Sequence, residues 1–158
     1  VAFVRLAHFP AADDLKVDVL FEESLYVLAH RQHELASSLR LTWSEVVDKR
    51  WVMPPTDSPF LQQVRRTFER ADIALPRHCI EAASISMQYG MVVHGSMLAF
   101  GMRRNDRPLA LRDSLIRLPV PLPRMTGNIG AITLQGREPP PLAVQLLDQI
   151  REVTTAAD

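Results

Sequence analysis

The chain has 158 residues, enough for one domain or two small lobes, and its 47% hydrophobic and 23% charged content is that of an ordinary globular sequence. Lys+Arg and Asp+Glu balance at 18 each, so the basic excess that a grip on the DNA backbone requires is missing. A single cysteine, Cys79, rules out an internal disulfide framework or a thiolate zinc site, and no apolar run approaches the ~20 residues of a membrane span.

The chain opens on Val1-Ala2-Phe3-Val4, which predicts a buried strand over Val1 to Leu6. A start in mid-strand, without a methionine or a secretory signal, reads as a fragment whose N-terminal part is absent. Leu15 to His30 is expected to be extended, with Leu15, Val17 and Val19 alternating before the apolar run to Ala29, and Arg31 to Arg40 to form a polar loop. Thr42 to Val47 carries the spacing of a capping box between Thr42 and Glu45, which predicts a short helix.

Trp51-Val52-Met53 is a short buried strand, stopped at Pro54-Pro55 where two ladder donors are lost. Ser58-Pro59 opens a helix, Ser58 as cap and Pro59 in the first turn, with Leu61, Val64, Phe68 and Ala71 as its apolar stripe and Phe60 off it. Arg77 to Ala82 is the next strand, Ser84 caps a helix to about His94, and Gly95 ends it. Strands follow at Ser96 to Phe100, Leu115 to Leu118 and Asn128 to Leu134. A last amphipathic helix carries Leu142, Leu146, Leu147, Ile150 and Val153 after Pro139-Pro140-Pro141. The alternation is that of an α/β fold, with the strands at Trp51, His78 and Ser96 parallel and side by side and helices on both faces.

Catalytic and metal chemistry find little support. His30 and His33 lack a close third ligand and are expected to be solvated loop histidines, while alternation places Cys79 inside its strand. Asp13-Asp14 and Glu22-Glu23 are neighbours in extended chain, point to opposite faces, and make poor acid–base pairs. The serine elbow, the dinucleotide glycine fingerprint and the phosphate loop are all missing. What remains are strand ends that meet helix starts, at Met53 to Ser58 and at Ala82 to Ser84. In open parallel sheets ligands gather there, beside the free amides of helix N-termini. Thr56, Ser58 and Ser84 add hydroxyls, and Arg103 and Arg104 place positive charge after the Phe100 strand. Asp57 opposes an anion in the same turn and suits a hydroxyl-rich ligand such as a sugar.

Several segments resemble a known family in order and spacing. Leu20-Phe21-Glu22-Glu23-Ser24-Leu25-Tyr26-Val27-Leu28 with His33-Glu34-Leu35-Ala36 resembles the "E-x-L-x-L-V … H-P-L-A" passage of the effector-binding domain of LysR-type transcriptional regulators, with Glu34 in place of the proline. Leu41 to Val46 resembles its "L-x-D-L" helix, and Trp51 to Pro54 the strand after it. Glu81-Ala82-Ala83-Ser84 through Val93-His94-Gly95-Ser96-Met97-Leu98-Ala99 resembles its "E-S … V-x-x-G-x-G-I" passage, with Met97 at the second glycine. The likeness covers essentially the whole chain.

The resemblance implies a two-lobed sensor like the type II periplasmic binding proteins, with the first lobe partial and the second complete. On that template residues 1–5 end the first lobe, 6–124 form the second and 125–158 return to the first, the DNA-binding domain being absent from this chain. It implies no enzymatic activity, no cofactor and no metal. The expected partner is a small-molecule effector (an organic acid, an aromatic acid or a sugar derivative) held by Arg5, Thr56, Asp57, Ser58, Phe60, Ser84 and Arg103. It further implies a cytoplasmic homo-oligomer that meets DNA only through the absent domain and meets no membrane, paired through the helix from Pro59 to Arg70 and the strand from Arg77 to Ala82. A solute-binding protein of a transport system shares the fold and is the alternative.

Overall fold

The computed structural model describes residues 1–6, 12–102, 113–125 and 127–155. They divide into two compact units, one holding residues 1–6, 12–23 and 127–155 and the other 24–102 and 113–125.

The first unit is an antiparallel sheet of three strands. β8 (Gly127–Leu134) lies between β1 (Ala2–Arg5) and β2 (Leu15–Glu23), Phe3 facing Ala131 and Val17 facing Ile132. The β2–β8 register shifts between Val19 and Phe21, so Leu20 sits in a bulge. α4 (Pro141–Thr155) is tied to β2 by Arg151, whose Nη2 lies 3.6 Å from Asp18 Oδ2. Ala131, Ile132 and Leu147 are buried, yet much apolar surface stays open on Phe3, Val17, Val19, Leu134, Leu142, Val144, Leu146 and Val153.

The extended stretch from Leu15 to His30 proves to be two strands in two different sheets. The chain leaves the first sheet at Glu23 and enters the second unit as β3 (Leu25–His30). The change of unit therefore falls after Glu23 and not after Arg5, the expected end of the first lobe, because β2 finds its pairing partner in β8.

The second unit holds a sheet of five strands in the order β5-β4-β6-β3-β7. β4 (Arg50–Met53) pairs in parallel with β5 (His78–Glu81) on one side and β6 (Leu98–Met102) on the other, as the strand–helix alternation predicted. β3 runs antiparallel between β6 and β7 (Leu115–Leu118). β3, β4 and β6 are apolar along nearly their whole length because both faces are covered. Leu25, Val27, Trp51, Met53, Leu98 and Phe100 point to the side of α1 (Trp43–Val47) and α2 (Pro59–Arg70), against Val46, Leu61, Val64 and Phe68. Tyr26, Leu28, Val52 and Ala99 point the other way, against Tyr89 and Val92 of α3 (Ile85–Gly95).

An aromatic knot fixes the α1–α2 side. The ring centroid of the fully buried Trp51 lies 4.9 Å from that of Phe100, and that of Phe68 5.1 Å from that of Trp43. The buried Trp51 indole donates to the Val46 carbonyl at 2.8 Å, so its polar edge is satisfied inside the core. In the capping box, Glu45 reaches back to accept from the Thr42 amide at 2.7 Å. At the end of α3 the left-handed residue is Ser96 (φ 51°) and not Gly95, which stays helical, so β6 begins at Leu98.

Candidate functional site

Where the parallel strands end, two loops come together. Pro54 and Pro55 stop β4, and the chain turns with the Ser58 amide donating to the Pro55 carbonyl at 2.9 Å. The parallel pairing of β4 with β5 runs one step past the strand, the Ala82 amide donating to the Met53 carbonyl at 2.9 Å. The buried Gln88 side chain donates to the Ala82 carbonyl at 2.7 Å and so fastens α3 to the end of β5. This framework brings the Thr56-Asp57-Ser58 turn beside Glu81, and the Thr56 hydroxyl donates to the Glu81 carboxylate.

The hydroxyls at this edge differ in what they offer. Ser58 is the N-cap of α2, its Oγ accepting from the Leu61 amide at 3.3 Å, which leaves its own proton available. The Thr56 hydroxyl donates to Glu81, and its oxygen keeps lone pairs to offer. Ser84 occupies the N-cap position of α3, but its exposed side chain makes no capping bond. Asp57 is exposed, its backbone carbonyl accepting from the Gln62 side chain at 3.2 Å. Neither Asp57 nor Glu81 has an ion-pair partner among the described residues.

The strand-end turns thus bring Thr56, Asp57 and Ser58 to one edge of the second unit, with Ser84 following β5 at the start of α3. Phe60 is half-buried against the α1–α2 core, so it is not the standing-off aromatic that the helical stripe implied. Arg5 belongs to the first unit, where it faces Ile129 in β8. Arg103 lies outside the described residues. Glu81, which in the sequence is only the first residue of the Glu81-Ala82-Ala83-Ser84 passage, joins this edge as the last residue of a parallel strand.

Two expectations are corrected. Cys79 is exposed rather than inside, because β5 is the sheet's edge and none of its residues is buried; its thiol donates to the Pro76 carbonyl at 3.2 Å, and desolvation, then Glu81, push its pKa up. His33 is buried rather than solvated, its Nδ1 accepting from the Leu35 amide at 3.2 Å. Beside it Lys49 pairs with Glu34 at 2.5 Å.

No cluster of three or more metal-binding side chains occurs among the described residues, and none of their helices is long and apolar enough to cross a membrane.

The family model described as "LysR substrate binding domain" matches residues 1–155. The chain is 33% identical over 144 residues to the HTH-type transcriptional regulator GalR of Pseudomonas putida, covering 91% of this chain and 36% of that protein. It thus spans about a third of the relative's length. Among solved structures, the regulatory domain of CcmR from Synechocystis in complex with 2-PG superposes with a TM-score of 0.73 at 19% identity, over 96% of this chain and 72% of that one. The BenM effector-binding domain with its effector benzoate gives 0.66 at 20% identity, over 98% and 68%. These likenesses support the mixed α/β, periplasmic-binding-protein-like architecture.

Proposed function

The chain belongs to the LysR substrate-binding domain family, the effector-binding part of a family of transcription regulators rather than of enzymes, and on that premise we propose that it senses a small molecule at the edge formed by Thr56, Asp57, Ser58 and Ser84. The observation that carries the reading is the meeting of the β4–α2 and β5–α3 turns at the carboxyl ends of parallel strands, with hydroxyls and helix N-termini directed there. Phe60, which follows β4 at the start of α2, is the further expected contact on this unit. The effector is an organic acid, an aromatic acid or a sugar derivative.

The two units act as the lobes of the sensor. An effector that binds one arrangement of the lobes better than another shifts the population toward it, and only that difference in affinity transmits a signal. DNA is met through a helix-turn-helix domain outside this chain, in a cytoplasmic homo-oligomer. The greater length of the relative and its HTH-type description support the helix-turn-helix part of this reading.

Binding of candidate effectors to the intact regulator, followed by calorimetry, tests the site. Ser58→Ala and Thr56→Val are each expected to weaken binding about tenfold, the worth of one or two hydrogen bonds. Unchanged affinity in both variants would place the effector elsewhere.

A further inference from the structure

The geometry points to a proton-operated latch in the turn between β3 and α1, in which protonation of His33 frees residues 32–38 and draws Leu35 from the core. The turn is built on imidazoles used as acceptors. His33 is buried, and its Nδ1 accepts from the Leu35 amide at 3.2 Å. The less buried His30, at the end of β3, accepts in the same way from the Gln32 amide at 3.3 Å. Backbone bonds tie the rest of the turn. The His33 amide donates to the His30 carbonyl at 2.9 Å, the Ala36 amide to the His33 carbonyl at 2.8 Å, and the Ser38 amide to the Leu35 carbonyl at 3.2 Å. Held in this way, Leu35 packs against the buried cluster that contains Val46, Trp51 and Phe68.

An imidazole nitrogen accepts only while it carries a lone pair, and both nitrogens of the imidazolium are donors. Protonated His33 therefore sets an N–H against the Leu35 N–H. Turning the ring over puts a C–H there instead, and neither arrangement restores the bond. The buried charge and the unpaired amide then find partners in water only when the turn opens. Desolvation is the largest influence on the ring and takes its pKa below the ordinary 6.5; Glu34 opposes it, and Lys49 and His30 add to the lowering. Glu34 is itself bound to Lys49 at 2.5 Å, which keeps its carboxyl ionised to lower pH than usual. That ion pair pins the middle of the turn while the ring titrates, so the opening is local. Arg31, the remaining cation at this end of β3, is engaged with β7's side, its Nη1 donating to the Asp113 carbonyl at 3.2 Å. The latch is thus closed above about pH 6.5 and opens as pH falls from there through the folded pKa.

Hydrogen exchange of the intact regulator over a series of pH values, corrected for the intrinsic pH dependence of exchange, tests this. Residues 32–38 should exchange by local opening, faster than β4 and without response to low urea. Between pH 6.5 and the folded pKa their protection should fall about tenfold per pH unit, the linkage for one proton taken up on opening. In His33→Asn, which keeps an acceptor for the Leu35 amide and does not titrate, protection should hold steady over the same range. Three results overturn the inference: protection in the wild type that is independent of pH, exchange of residues 32–38 only at the rate of β4, or a fall that persists undiminished in His33→Asn. The first two are read on the wild-type protein and do not depend on the folding of the variant.

Discussion

Burial disfavours the charged form of the His33 imidazole. Desolvation is the main cause that takes its pKa below the ordinary 6.5, Glu34 opposes it, and Lys49 and His30 add to the lowering. A base whose folded pKa lies below its unfolded one binds more protons when unfolded. Its contribution to stability is thus complete above about pH 6.5 and is lost as pH falls from there through the folded pKa. The melting temperature should decline between pH 7 and pH 5, and His33→Asn, which retains an acceptor for the Leu35 amide, should flatten that part of the profile. A profile identical in the two proteins would place the acid sensitivity elsewhere. Gly101 offers a second test at this scale. A Cβ there would lie 2.5 Å from the ring of Tyr26, its cross-strand partner, over which the Arg117 guanidinium lies 4.5 Å from the ring centroid. Gly101→Ala should cost about 1–3 kcal/mol, the usual cost of overpacking, measured by urea denaturation.

At the scale of elements, α2 is held at its start by the Ser58 cap, so Ser58→Ala should destabilise the fold by about 1 kcal/mol besides any loss of binding. Chemical denaturation of the free protein separates the two effects. This helix was legible in the sequence because Ser58-Pro59 and the spacing of Leu61, Val64 and Phe68 state its start and its buried face without help from the rest of the chain. The strands around Trp51, Ile80 and Ala99 were legible as parallel partners because short apolar runs between helices have few other solutions. Alternation alone did not reveal which strand lies at the edge. Cys79 was expected inside for that reason, since a residue's burial in an edge strand depends on neighbours far away in sequence. The break at Ser24 was hidden likewise: an extended chain that passes from one sheet to another keeps its extended pattern, and only the partners change. At the site, the hydroxyls of Thr56, Ser58 and Ser84 could be placed from the turns. The bond between Thr56 and Glu81 could not, because it joins two loops whose closeness is set by the pairing of β4 with β5.

For the whole molecule, the two units differ in how much apolar surface they cover. The second encloses a core on each face of its sheet, while the first leaves Phe3, Val17, Val19, Leu142 and Val153 open, Leu142 at 80% exposure. Apolar surface left open in this way is costly in water. In the intact regulator these side chains should become protected, and this chain expressed alone should bind a hydrophobic dye more strongly than the intact protein does. Equal dye binding would contradict the reading. On the proposed function, an effector is held at the carboxyl edge of the second unit's parallel strands. Hydrogen exchange of the intact regulator, with and without the compound that stabilises it most, tests this most directly. The amides of residues 53–62 and 81–88 should gain protection when the compound binds, as the turns at Thr56 and Ser84 close on it. Protection confined to other segments, with these two unchanged, would contradict the account.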